Sequence, residues 1–307
     1  MYRLLNINEK NLEYIVLESA DGNSKAKLCL SQGGRIHQLV FNTIEVIERT
    51  EPSIYRRNYD SAILFPFANR VKNGEYKFND VSYILDCNED GRNNALHGLV
   101  YDKMFECISE KLTSDFASIT LRYKNDGKSK GFPFKYDIEL HYKLSKNEIS
   151  LTVNICNMGK KIFPFTLGWH PYFKSKNLQE SSLNFKSNIM FEVDKYQIPF
   201  RIIDFNETMP FQLKDKKLDT GYKLESNQVE FLTPEYQIKI KSNSNENYLQ
   251  LYTPSESNSI AIEPMTGATD SFNNTIGLQT LSPNTNYNVE WKIIFKNSTT
   301  KTTNSLN

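Results

Sequence analysis

The feature that most constrains the fold of this 307-residue chain is its period-two alternation of apolar and polar residues. Successive strand side chains point to opposite faces, so such alternation demands a sheet with one buried face and one wet face. Tyr136, Ile138, Leu140, Tyr142 and Leu144 alternate with Asp137, Glu139, His141 and Lys143. Ile149, Leu151, Val153 and Ile155 alternate with Ser150, Thr152, Asn154 and Cys156, and Ser145-Lys-Asn-Glu148 between the runs reads as a short turn. The two runs predict an antiparallel hairpin. Similar runs span 117–123, 236–240 and 289–295, the last with Val289, Trp291, Ile293 and Phe295 on one side. Helical periodicity is scarce, and 17 tyrosines and 19 phenylalanines suit pleated, half-buried surfaces. With no Pro/Gly/Ser-rich linker and no internal repeat, the expectation is an all-β chain. It is read as one antiparallel domain over residues 1–296, followed by a polar, frayed tail over 297–307.

Charge narrows the partners. Lysines and arginines number 37 against 36 acidic residues, a net +1, so no global field attracts nucleic acid or an anionic membrane. Glu9 and Lys10 interrupt the N-terminal text too early for a signal peptide, and no window reaches the roughly 18 uncharged apolar residues of a membrane span. A cytoplasmic protein with a small or neutral partner is expected. Cys29, Cys87, Cys107 and Cys156 are scattered without a C-x-x-C pair, and buried free thiols are expected rather than disulfides or metal ligands. Gly33-Gly34 lacks phosphate-loop spacing and reads as a turn.

Chemistry is expected where alternation stops, and four stretches stand out. In Leu64-Phe-Pro-Phe-Ala-Asn-Arg-Val71, Arg70 is embedded in apolar text, either as a structural ion pair or as a ligand contact. In Asn93-Asn-Ala-Leu-His-Gly-Leu-Val-Tyr101, His97 precedes a glycine that permits close backbone approach, and the histidine is either structural or functional. In Thr166-Leu-Gly-Trp-His-Pro-Tyr-Phe173, His170 is held between Trp169 and Pro171. In Ile260-Ala-Ile-Glu-Pro264, partial burial of Glu263 would raise its pKa toward the general-base range.

One carboxylate, two imidazoles and one guanidinium admit two readings. His97, His170 and Glu263 could bind a metal, although neither histidine has the acidic neighbour two positions away that facial-triad sites use. Alternatively the carboxylate and an imidazole act as a base and acid pair on a polyol. No Gly-x-Ser-x-Gly elbow supports nucleophilic catalysis.

Together, Phe65-Pro-Phe-Ala-Asn-Arg70, Asn94-Ala-Leu-His-Gly98, Gly168-Trp-His-Pro-Tyr-Phe173 and Ile262-Glu-Pro264 resemble the aldose 1-epimerases, or galactose mutarotases, in the family's order from about Gly33 to Phe295. The resemblance implies a twisted antiparallel β-supersandwich that interconverts the α and β anomers of a free aldose such as galactose or glucose without a cofactor or a metal. By that resemblance Glu263 matches the general base and His170 the general acid. His97 matches a residue that holds and polarises the substrate, and Asn69 and Arg70 match a hydroxyl-binding pair. Asp219 is the nearest match to a hydroxyl-gripping aspartate, with Asp215 close by, and Gln250 is either a binding glutamine or an ordinary strand residue. Trp169 or Phe173 could stack on the sugar or pack in the core. The implied partner is a small-molecule sugar, for a chain that is a monomer or weak homodimer. The alternatives are an epimerase for hexose 6-phosphates, which would need additional basic residues at the pocket, and a sugar-binding protein without turnover. His141 is expected in solvent, and His37 lies in strand-like text.

Overall fold

The computed structural model describes residues 1–48, 51, 53–255 and 258–298. Its hairpin follows from the alternation: Lys135–Ser145 and Glu148–Asn157 pair antiparallel, with Ser145 opposite Glu148, so the turn is just Lys146-Asn147. Tyr136, Ile138, Leu140, Tyr142, Leu144, Ile149, Leu151, Val153 and Ile155 are all buried. These strands belong to a nine-stranded sheet. Its spatial order is Glu106–Leu112, Phe116–Asp126, Lys135–Ser145, Glu148–Asn157, Asn286–Asn297, Tyr236–Ser242, Gln228–Leu232, Ser182–Phe185 and Phe211–Gln212.

A second sheet of eight strands carries the site. It runs Pro199–Asp204, Ile189–Val193, Asp219–Lys223, Tyr248–Tyr252, Ser259–Met265, Gly168–Trp169 and Ile63–Leu64, with Tyr172–Lys174 also paired to Ser259–Met265. A five-stranded meander, Arg3–Glu9 through Ile44–Ile47, completes the large sheets. The chain is thus an all-β protein of antiparallel sheets. Trp169 of the site sheet stacks on Trp291 of the nine-stranded sheet, with ring centroids 6.3 Å apart, and Phe41 of the meander meets Phe295 at 5.5 Å. These contacts fuse the sheets around one apolar cluster.

Two of the sequence motifs meet through backbone. Arg70–Val71 pairs with Ala95–Leu96, and the His97 N–H donates to the Asn69 carbonyl at 2.8 Å. Gly98 bridges Phe65, its φ is +78°, and a Cβ there would lie 2.3 Å from the Phe65 carbonyl oxygen. The close approach anticipated after His97 is therefore real and admits only glycine.

Several expectations need correction. All four cysteines are free, but only Cys29 is buried; Cys156 is intermediate, and Cys87 and Cys107 are exposed. Cys107 lies on the exposed edge strand Glu106–Leu112 and Cys156 on the wet face of its hairpin, so strand membership alone did not imply burial. His141 is half-buried beside the Thr120 hydroxyl, 3.0 Å away, because the neighbouring strand shields that face. His37 is buried with its Nδ1 3.2 Å from the Arg35 guanidinium. The last strand extends to Asn297, one residue into the expected tail, whose positions 299–307 lie outside the described residues. Among the described residues no helix is long and apolar enough to cross a membrane.

Leu140→Ala should cost about 3 kcal/mol in chemical denaturation, as for a buried leucine that leaves a cavity, whereas Thr152→Ala on the wet face should change stability by under about 1 kcal/mol. Gly98→Ala should lose more than about 2 kcal/mol, because it combines left-handed strain with a backbone clash.

Candidate active site

The strand Ser259–Met265 is the axis of the site. On one side it pairs with Tyr248–Tyr252 so that Gln250 stands directly opposite Glu263, and that strand in turn sets Gly221 opposite Gln250 and Asp219 opposite Tyr252. On the other side Gly168 faces Met265 and Tyr172 faces Ala261. Between those two pairings the chain carries His170 and Pro171. The His170 N–H donates to the Ala62 carbonyl at 3.0 Å, and its own carbonyl accepts from Ser61 N–H at 2.7 Å.

This backbone brings His170 Nε2 to 3.3 Å from Glu263 Oε1. Glu263 is 1% exposed and His170 4%. Burial raises the Glu263 carboxyl well above its usual range; the Asp219 charge pushes the same way and Arg70 opposes it. Burial pushes the His170 imidazole down to about 4, with Arg70 acting in the same direction. Both shifts favour the neutral forms, a protonated carboxyl beside a neutral imidazole, so one titratable proton rests on the pair and can pass between its members. Glu263 Oε2 and His170 Nδ1 are buried without a hydrogen-bond partner, so the pair keeps unused polar capacity.

His97 meets the His170 ring edge-on, 4.9 Å between centroids, and burial, His170 and Arg70 together lower its pKa well below the ordinary imidazole value. Tyr172 stacks on the other side of His170 at 5.1 Å. Asn69 and His97 both adopt left-handed backbone, φ +59° and +62°, unusual for residues with side chains and typical of sites.

Arg70 answers both of its open readings. Its Nε donates to both Glu89 carboxylate oxygens, at 2.9 and 3.1 Å, and a further nitrogen to Asn69 Oδ1 at 2.9 Å. It therefore has a structural ion pair, yet it also lines a cavity of about 360 Å³ with Asn69, His97, His170, Asp219, Gln250 and Glu263. Burial alone would raise the Glu89 carboxyl, but bonds from Arg70, Asn94 and Arg92 outweigh it and hold it below its usual range. Gln250 Nε2 donates to Asp219 Oδ1 at 2.7 Å, and the Asp219 carboxylate lies 3.9 Å from the Arg70 guanidinium.

All seven residues singled out from sequence share this one cavity. Of the two aspartates weighed from sequence, Asp219 lines it and Asp215 does not. Gln250 is both a strand residue and part of the wall. Trp169 and Phe173 are fully buried in the core and do not line this cavity. Missed from sequence were Tyr59, Asn88, Glu89, Tyr172 and Tyr252. Tyr172 sits two positions past His170, a spacing that could have marked it; Glu89 reads as an ordinary loop acid in Cys87-Asn-Glu-Asp90. Among the described residues no three His, Cys, Asp or Glu side chains are arranged to hold a metal ion.

These segments make a polar cavity with the buried Glu263–His170 pair at its floor. Its fold has solved counterparts. A galactose mutarotase-like protein from Clostridium acetobutylicum superposes with a TM-score of 0.85 at 16% identity, over 96% of this chain and 99% of that one. Galactose 1-epimerase from Lactobacillus acidophilus NCFM superposes at 0.79 and 18% identity, over 97% and 99%. In sequence, the uncharacterized protein YihR of Escherichia coli K12 is 24% identical over 258 residues, 80% of this chain and 82% of that protein. A second Escherichia coli protein, YphB, is 28% identical over 142 residues, 46% of each chain. The family model described as aldose 1-epimerase matches residues 16–293, and the chain belongs to that family.

Proposed function

We propose that the chain is an aldose 1-epimerase that interconverts the anomers of an aldose such as galactose or glucose. The observation that carries this reading is the 3.3 Å contact between His170 and Glu263 at the floor of a polar cavity, where burial keeps one proton on the pair. Ring opening needs one group to take a proton and another to give one, and nothing else. In the reacting form the shared proton has moved to the imidazole: the Glu263 carboxylate removes the proton of the C1 hydroxyl, the C1–O5 bond breaks, and His170 delivers its proton to O5. Rotation about C1–C2 presents the other face of the aldehyde. Reclosure runs the transfers backwards, so O5 returns its proton to His170 and the new C1 hydroxyl takes one from Glu263, and no net proton is consumed.

The remaining residues have matching tasks. Neutral His97, edge-on to His170, holds the substrate near the ring oxygen. Asn69, Arg70, Asp219 and Gln250 bind hydroxyls, and their mutual hydrogen bonds fix them before substrate arrives.

Polarimetry of freshly dissolved α-D-galactose and α-D-glucose tests the assignment. Glu263→Gln and His170→Asn, each checked to be folded, should reduce kcat/KM by about 10²–10⁴. Wild-type activity in either variant would sink these roles, and a wild type that accelerates neither sugar while binding one would favour a sugar-binding protein.

The pH profile provides a second check. A second proton enters the pair only near pH 4, where the imidazole titrates, so kcat/KM should stay level through the ordinary imidazole range and fall toward pH 4. A decline centred near about pH 6.5 would mean that an unperturbed histidine controls the rate.

The Glu263 carboxyl also sets its own pH dependence of stability. The folded-state pKa of Glu263 is raised, so its burial costs stability increasingly as pH climbs above the unfolded value of about 4.3. Glu263→Gln should therefore unfold at a higher temperature than wild type at pH 7, with the gap closing toward pH 4. A gap that does not change with pH would contradict the raised pKa.

A further inference from the structure

The cavity has more positive charge at its mouth than a neutral sugar can use. Glu263 and His170 form its floor and are buried, whereas Arg56 and Arg57, which also line it, are exposed and Arg92 is half-buried. Arg56 and Arg57 make no ion pair or side-chain hydrogen bond with any described residue, although their helix, Tyr55–Asn58, is firmly seated. The buried Tyr55 hydroxyl donates to the Tyr101 carbonyl at 2.7 Å, and Asn88 Nδ2 donates to the Tyr59 hydroxyl at 3.1 Å. Arg92 donates to Glu89 Oε1 at 2.9 Å, the same carboxylate that Arg70 engages. One carboxylate thus serves two guanidiniums. Asp90 also lines the mouth and offsets one charge, while Asp219 is committed inward to Gln250. The lining sets four arginines against Glu89, Asp90, Asp219 and Glu263, but Glu263 is buried at the floor with its carboxyl shifted toward the neutral form, so the positive excess stands at the exposed rim.

We propose that the mouth selects an aldose carrying an anionic group, a phosphate or a carboxylate, through Arg56, Arg57 and Arg92. The proposal rests on the aldose 1-epimerase reading and narrows its substrate class. Guanidinium forks match planar carboxylates and phosphate oxygens with paired, charge-assisted hydrogen bonds, and they gain far less from a neutral hydroxyl. A sugar that sets its anomeric carbon against the Glu263–His170 pair directs its far side toward the solvent, where these arginines stand. A neutral hexose finds its hydroxyl partners lower down, at Asn69, Arg70, Asp219 and Gln250, and leaves the two unpartnered arginines idle.

The experiment measures exchange between the α and β H1 signals by NMR at anomeric equilibrium, with glucose, glucose 6-phosphate and glucuronate as substrates. Wild type is compared with the Arg56→Gln/Arg57→Gln double variant and with Arg92→Gln; Arg56 and Arg57 are exposed and Arg92 half-buried, so folding should survive and is checked by thermal unfolding. One anionic sugar should exceed glucose in kcat/KM by at least about tenfold, and that ratio should fall severalfold in the double variant and in wild type at high salt. A larger gain with the phosphate identifies a phosphorylated aldose, and a larger gain with glucuronate a uronic acid. Glucose turned over as fast as both anionic sugars, or a ratio unchanged in the double variant, would overturn the selection and leave the epimerase reading intact. Failure to exchange any of the three sugars would overturn that reading and this proposal with it.

Discussion

The double pairing of the strand Ser259–Met265 is the constraint on which the site depends. Its register with Tyr248–Tyr252 sets Glu263 beside Gln250, and its register with the segment around Gly168 and Tyr172 sets His170 on the other flank. A slip of one residue would turn Glu263 to the opposite face of the sheet, away from every partner it has. The register is held by the apolar neighbours of Glu263: Ile260 and Ile262 point into the main apolar cluster, so a one-residue slip would pull them out and drive the Glu263 carboxyl in. The chemistry is thus positioned by packing that has nothing to do with sugars.

Burial has a cost here, and the surrounding structure meets it locally. An unpaired charge at the floor would be very unfavourable, and sharing one proton between Glu263 and His170 lets both groups remain neutral. Behind them, fully buried Arg35 pairs with Asp60 and stacks over Tyr55. Asp60 leads directly into Ser61 and Ala62, the two residues whose backbone clamps His170. Removing one partner of such a buried pair typically destabilises by about 3–5 kcal/mol. The clamp therefore ties the orientation of His170 to an ion pair that does not itself line the cavity.

The fold was largely legible because alternation maps directly onto faces: Tyr136 to Leu144, Ile149 to Ile155 and Val289 to Phe295 became buried stripes as read. The site was legible where unusual text interrupted that pattern, as at Asn69-Arg70, His97, His170 and Glu263. What could not be read was whatever depends on contacts distant in sequence. Glu89 has no local signal because its role comes from Arg70, 19 positions away. Arg56 and Arg57 look like solvated charges until the helix that carries them is seen at the rim of the cavity. Cys107 and His141 were misjudged for a related reason: burial on a strand depends on which neighbours flank it, and those are set by the order of strands in the sheet.

The stacked indoles of Trp169 and Trp291 are the two tryptophans of the entire chain. One stands beside His170 and the other in the middle of the opposing nine-stranded sheet. All of the intrinsic tryptophan emission of this protein therefore originates at a single junction between the layer that carries the cavity and its support. Natural fluorescence, without any attached dye, reports from one residue away when the pocket fills, and from the same place when the two layers separate.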